Sequence, residues 1–306
     1  MVTTQQKILF PFGISGMTGV VRASWQEARP VVQVIFQLRF VAGVVLGGGT
    51  ATTHLVDQSV LLAAASWLAA TWCVYLVNGI ADVVEDRENG STRPIARGAL
   101  PVAAATRMCY VLAVVAVTCG VLVSSRSALL VLLVLLVGWS YSMGPWPLKN
   151  SMPGFLAGVV SLGLLTYLAG WSAVGGGWNT TLVVTSVAMS LWMGLVGATK
   201  DLSDVRGDRV AGRRTAPVVL GVRRAKALMA ALAVSLGLAF LTTAVVVVPR
   251  LLPVGVVVCS GACAVAVLLL SAAGRGGRCA ERRPYRAFMT TQYAAHMTLL
   301  SADVVS

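Results

Sequence analysis

Residues Ser59–Asp86 read SVLLAAASWLAATWCVYLVNGIADVVED. Residues 59–80 of this stretch carry no charged side chain. As a helix rising about 1.5 Å per residue, such a run crosses the roughly 30 Å hydrocarbon core of a bilayer. Acids follow at once: Asp82, Glu85, Asp86 and Glu88. The stretch therefore predicts a membrane-spanning helix that delivers carboxylates to one membrane surface.

The rest of the chain repeats the first half of that pattern. Hydrophobic residues make up 57% of the 306 residues, with 31 Gly besides, and Asp, Glu, Lys and Arg only 11%. Soluble domains carry about 25% charged residues, so a soluble globule is excluded, as is a disordered chain. Apolar runs cut by Gly, Pro and charge predict nine spans: 31–50, 59–80, 103–123, 127–142, 154–174, 181–199, 226–248, 251–272 and 287–304. The expected fold is an all-α polytopic membrane protein. It forms a single domain over 1–306, with an N-terminal segment 1–25 and charged loops 81–102, 142–153 and 200–225 on one face.

The net charge of +13 reads as topology rather than as a nucleic-acid surface. With nine spans and the N-terminus inside, 21 of the 24 basic residues fall on inner segments and two, Arg126 and Arg250, outside; Arg39 lies within the first span. The positive-inside rule then gives a multi-pass cell-membrane protein with a cytoplasmic N-terminus and an external C-terminus.

Seven of the eleven acids form two groups, Asp82/Glu85/Asp86/Glu88 and Asp201/Asp204/Asp208, each directly after an inward-running span. One acidic loop alone would read as solvated surface charge. Here both groups sit on one membrane face in helical register: Asn78, Asp82 and Asp86 at i, i+4, i+8, and Asp201, Asp204 and Asp208 at i, i+3, i+7. Five carboxylates and an amide aimed at one space are hard oxygen donors suited to Mg²⁺. Mg²⁺ keeps only one or two carboxylates per ion and fills its shell with water and phosphate, so a phosphorylated substrate is implied.

Asn78-Gly-Ile-Ala-Asp82-Val-Val-Glu-Asp86, followed by Arg93-Pro94-Ile95 and Arg97-Gly98, resembles the first signature of the UbiA superfamily of intramembrane prenyltransferases, NxxxDxxxD with a basic segment behind it. Asp204-Val-Arg-Gly-Asp208 with Gly212, Thr215, Pro217 and Gly221 resembles the second, and Tyr141-Ser142 through Pro145 to Lys149 a third element after the fourth span. Arg29-Pro30 also fits, so the resemblance runs over nearly the whole chain. Many members have Asp where this chain has Gly79.

The resemblance implies nine helices around a central cavity, capped on the cytoplasmic side by the acidic segments. It also implies an isoprenyl diphosphate substrate held by Mg²⁺. Asn78, Asp82, Asp86, Asp204 and Asp208 match the motif positions, and Asp201 is a further acid; Asn78, Arg93, Lys149 and Lys200 are expected diphosphate contacts. Tyr141 is expected beside the first isoprene unit. Tyr75, Tyr167, Trp171, Trp192 and Tyr293 are further aromatics able to face a cation, and Gln33/Gln37 and Gln292/His296 are polar pairs within spans.

Two outcomes share every one of these motifs. In one, a lipophilic acceptor (aromatic, quinone precursor or lipid alcohol) captures the allylic cation and is prenylated. In the other, an alkene of the same chain attacks and a cyclic terpene results. A cation-coupled transporter would instead place its ionisable groups near the bilayer midplane at broken helices.

The basic split predicts that cysteine introduced at Trp178 is labelled from outside intact cells and cysteine at Gly212 only from inside. The reverse pattern would overturn the topology.

Overall fold

A computed structural model describes residues 16–48, 55, 57–274 and 276–301. Most of the expected N-terminal segment, residues 1–15, lies outside the described residues. Fourteen α-helices follow in order: α1 (Met17–Glu27), α2 (Pro30–Gly48), α3 (Gln58–Ala81), α4 (Val83–Glu88), α5 (Val102–Val123), α6 (Ser125–Ser142), α7 (Met152–Ala173), α8 (Thr180–Leu191), α9 (Val205–Val210), α10 (Ala216–Leu220), α11 (Val222–Val246), α12 (Leu252–Leu270), α13 (Arg278–Glu281) and α14 (Arg283–Ser301).

Local chemistry sets the helix starts. Ser124, Ser151 and Asn179 each accept a bond from the backbone N–H three residues on, at 3.1, 3.2 and 2.8 Å. Pro30 opens α2 directly after Arg29, whose φ of 57° turns the chain between α1 and α2. A left-handed non-glycine residue costs about 1 kcal/mol.

Among the described residues, eight segments are long and apolar enough to cross a membrane: α2, α3, α5, α6, α7, residues 180–203 from α8 onward, α11, and residues 249–270 including α12. The ninth expected span corresponds to α14, which falls short of that hydropathy because Arg283, Arg286, Gln292 and His296 interrupt it. The sixth expected span is not one regular helix. After Leu191 it widens into a π-helical turn over Trp192–Val196 and then tightens into a 3₁₀ segment over Gly197–Ser203.

Packing makes a ring. α2 packs on α3 and α7, α3 on α5 and α6, α7 on α8, α11 on α12, α12 on α14, and α14 returns to α2. Lipid offers these helices no hydrophobic reason to associate, so close approach and dispersion must hold them. Gly43 and Gly170 provide it between α2 and α7: a Cβ on Gly43 would collide with the Tyr167 carbonyl, and one on Gly170 with that of Phe40. Large apolar residues such as Tyr110, Leu122, Leu136 and Val267 are exposed on the outside, where lipid covers them.

Candidate active site at two helix breaks

Both acidic motifs sit where a spanning helix breaks. Asp82 ends α3 and begins α4; its N–H donates to the Asn78 carbonyl at 2.9 Å, and the Asp86 N–H donates to the Asp82 carbonyl at 2.8 Å. Asp204 does the same between the 3₁₀ segment and α9, with the Asp208 N–H donating to its carbonyl at 2.9 Å. α4 and α9 pack together, joined by a bond from the Gly207 N–H to Asn89 Oδ1 at 2.9 Å. The two short helices thereby bring residues more than a hundred positions apart to one place.

A cavity of about 900 Å³ opens there. At its polar end it is lined by Asn78, Asp82, Glu85, Asp86, Asp204 and Asp208, with Arg93, Lys200, Arg213, Arg278 and Arg282. Val31, Ile35, Val74, Val159, Leu162 and Met193, all from spanning segments, line it as well, together with Arg39, Tyr75, Gln292 and Tyr293.

Arg213 is the hub. Its Nη2 donates to Asp82 Oδ1 at 2.7 Å and to Glu85 Oε1, and its Nη1 lies 3.6 Å from Asp208 Oδ1. Lys149, from the loop after α6, pairs with Asp82 and stands 3.7 Å from Glu85. That loop is fixed in turn by the Arg214 N–H, which donates to the Asn150 carbonyl at 2.9 Å. At the mouth, Arg278 and Arg282 stand 3.2 and 3.9 Å from Asp204.

Three buried carboxyl groups, Asp82, Glu85 and Asp208, thus share two cations. The deficit appears in their acidities. Burial raises Asp82, yet its bond with Glu85 and the charges of Arg213 and Lys149 outweigh that and hold it below the usual carboxylate range. Burial and the neighbouring Asp82 push Glu85 up to about 8. Burial and the Asp201 charge push Asp208 up to about 6. Among the described residues no three acids, His or Cys converge as a ready metal cage. Carboxylates alternating with cations around one space nevertheless suit Mg²⁺, which accepts few carboxylates and needs water and phosphate oxygens to complete its shell.

The sequence-predicted residues divide on inspection. Asn78, Asp82, Asp86, Arg93, Tyr141, Lys200, Asp204 and Asp208 line the cavity. Asp201 does not; it is buried and paired with Lys200 at 2.6 Å. The expected i, i+3, i+7 face assumed one α-helix through 201–208, whereas the backbone is 3₁₀ to Ser203 and breaks at Asp204. Lys149 is also off the cavity wall, because a buried ammonium beside Asp82 and Glu85 pairs with them. Of the aromatics, Tyr75, Tyr141 and Tyr293 line the cavity, while Tyr167, Trp171 and Trp192 do not. Gln292 lines it and accepts from the buried Arg39; His296 instead bonds the Tyr167 hydroxyl at 2.6 Å. Gln33 and Gln37 border a separate apolar groove.

Sequence reading did not single out Glu85, Arg213, Arg278 or Arg282 for the site. Glu85 had a usable signal, one helical turn beyond Asp82. The arginines had none, since topology alone accounts for basic residues on that face.

The sequence model of the UbiA prenyltransferase family matches residues 40–292. The chain is 30% identical over 188 residues to a digeranylgeranylglyceryl phosphate synthase of Haloquadratum walsbyi, covering 60% of this chain and 62% of the relative. It is 33% identical over 208 residues to one of Halobacterium salinarum, covering 66% and 71%. The matched part is thus just under two thirds of the first relative's length. A UbiA homolog from Archaeoglobus fulgidus, solved bound to GPP and Mg²⁺, superposes with a TM-score of 0.65 at 18% identity, over 92% of this chain and 100% of that one. A UbiA homolog from Aeropyrum pernix gives 0.59 at 21%, over 89% and 96%. The chain belongs to the UbiA prenyltransferase family.

The acidities generate a pH prediction. Glu85 has an ordinary value of 4.5 and is raised to about 8, so the stability it contributes is full below 4.5 and is lost as pH rises through about 8. Asp208, raised to about 6, completes its share earlier, and Asp82 is ionised throughout that range. In chelator, the thermal midpoint should fall between pH of about 6 and about 8. Glu85→Gln should flatten that fall; an unchanged profile in the variant would remove Glu85 as its cause.

Proposed function

We propose that this chain ionises an isoprenyl diphosphate inside the membrane, transfers the prenyl group to a lipophilic acceptor and releases diphosphate. The observation that carries the reading is one cavity with carboxylates and arginines at the end where α3 and the α8 segment break, and mostly apolar side chains of the spanning segments, with the paired Arg39 and Gln292 among them, along the rest. That shape fits an amphiphile with a multiply charged head and a hydrocarbon tail.

Asn78, Asp82 and Asp86 from one break and Asp204 and Asp208 from the other would hold Mg²⁺, with Asp201 setting Lys200 beside them. When bound, Mg²⁺ supplies positive charge that stabilises diphosphate as a leaving group. Arg278 and Arg282 at the mouth are placed to take phosphate oxygens, and Lys200 lines the same cavity. Arg93, engaged with Glu27 and Asp86, reaches a phosphate only by sharing its guanidinium. Lys149 and Arg213 hold Asp82 and Glu85 in place. The apolar side chains of the wall keep water from the allylic cation, and the Tyr141 ring offers it π density, whereas the Phe155 face already carries the Lys200 ammonium 5.2 Å from its centroid.

The basic split supports a cytoplasmic mouth with the N-terminus inside and the C-terminus outside. The acceptor reading follows the relatives: their product name, digeranylgeranylglyceryl phosphate, points to a lipid alcohol, here an isoprenoid glyceryl phosphate.

Purified protein in detergent should be given C10, C15 and C20 diphosphates with Mg²⁺, alone and with a lipid-alcohol or aromatic acceptor. Acceptor-dependent diphosphate release and a prenylated product are expected. Asp82→Ala and Asp204→Ala should each lose at least about 100-fold in rate, as when charge stabilisation of a leaving group is removed. Lys149→Ala should weaken Mg²⁺-dependent diphosphate binding, because it releases the Asp82 carboxylate that Lys149 holds, and Tyr141→Phe should lower kcat. A cyclic hydrocarbon formed without acceptor would replace transfer by cyclisation, and full turnover in chelator would sink the metal assignment.

A further inference from the structure

Glu27 takes no part in the chemistry above, yet its side chain is fully buried at the end of α1. An uncompensated buried carboxylate costs several kcal/mol, on the order of what breaking a buried ion pair costs. Two partners offset that cost: Arg93 Nε lies 2.6 Å from Oε1, and the Ile95 N–H donates to Oε2 at 2.9 Å. Arg93 Nη2 also donates to the Glu27 carbonyl at 3.3 Å. That leaves Nη1 free to face the other way, and it donates to Asp86 Oδ2 at 2.9 Å. Asp86 lines the cavity.

Room for this arrangement comes from α3. A Cβ on Gly79 would run into Glu27 Oε1 and lie 2.9 Å from Arg93 Nη2. Both are ends of flexible side chains, so a larger residue at 79 would not break the fold; it would displace the pair. Gly79 and Glu27 are therefore complementary. The first omits a side chain and the second, from another helix, fills that space with a carboxylate.

We propose that Glu27, admitted by Gly79, is a positioning residue of this site: it fixes the Arg93 guanidinium so that Nη1 holds the Asp86 carboxylate toward the cavity. The inference rests on the reading that Asp86 serves the Mg²⁺–diphosphate site. It has a specific consequence. A Cβ at 79 points at the space of Glu27 Oε1, so an aspartate there carries its carboxylate into the place Glu27 vacates. The carboxylate then serves Arg93 from either helix, but not from both at once.

The test is Mn²⁺ binding with inorganic diphosphate, followed by the electron-spin signal of free Mn²⁺, beside thermal midpoints. Four variants are compared with wild type: Glu27→Gln, Glu27→Ala, Gly79→Asp, and Glu27→Ala combined with Gly79→Asp. Each single variant is expected to weaken Mn²⁺ binding about tenfold, as loss of an outer partner of a metal ligand does. Glu27→Gln keeps the side chain's size and so separates lost charge from lost packing. The double variant is expected to recover to within about threefold of wild type. A double variant no better than the weaker single, or a Glu27→Gln that binds Mn²⁺ like wild type, overturns this inference. Wild-type protein that binds no Mn²⁺ with diphosphate overturns the proposed function together with it, whereas wild-type binding with no recovery overturns the inference alone.

Discussion

Negative charge gathered at the end of apolar helices must be neutralised, and the polar architecture of this protein follows from how that is done. Asp82, Glu85 and Asp208 are buried where water screens poorly, and each bare charge there costs several kcal/mol. Arg213 answers by touching all three, and Lys149 by pairing with two. Those two cations come from different loops, so satisfying the acids also fastens the loop after α6 and the loop after α9 against the end of α3. Two cations for three carboxyls leave a deficit, and Glu85 meets it by keeping its proton to about pH 8. A divalent cation meets the same deficit in another way.

The breaks in the helices are part of the same solution. α3 ends at Ala81 and α4 begins at Val83, and Arg93 from the segment after α4 reaches Asp86 there. On the opposite side the π-turn at Trp192–Val196 and the 3₁₀ segment after it re-aim Asp204 and Asp208. Irregular backbone at membrane depth is tolerated where it borders a polar cavity. α14 fits that logic too. Its low hydropathy belongs to a helix that gives Tyr285, Gln292 and Tyr293 to the cavity and not only apolar surface to lipid.

Much of this was legible in the residues. Spans announce themselves through uninterrupted apolar length, and their expected bounds fall within a few residues of the helices. The spacing also brings members of both acidic groups, Asp82, Asp86, Asp204 and Asp208, to one cavity, with Asp201 the exception. The failures have one cause: spacing is local, whereas neutralisation is long-range. Arg213 lies 131 positions from Asp82 and looked like one more topology residue. Lys149 looked free to meet phosphate until Asp82 was seen against it. Asp201 was placed by an α-helical register that the 3₁₀ backbone does not keep. Gly79 read as a missing acid, and only the fold reveals that Glu27 occupies its space.

The central claim is that the paired helix breaks recognise a diphosphate head through a divalent cation. Its most direct test is equilibrium binding of farnesyl diphosphate to the purified protein, in Mg²⁺ and in chelator, with farnesol as the headless control. The account predicts binding in Mg²⁺, a loss of at least about tenfold in chelator, worth roughly 1.4 kcal/mol, and no comparable affinity for farnesol. Equal affinity in chelator, or farnesol bound as well as its diphosphate, would contradict it.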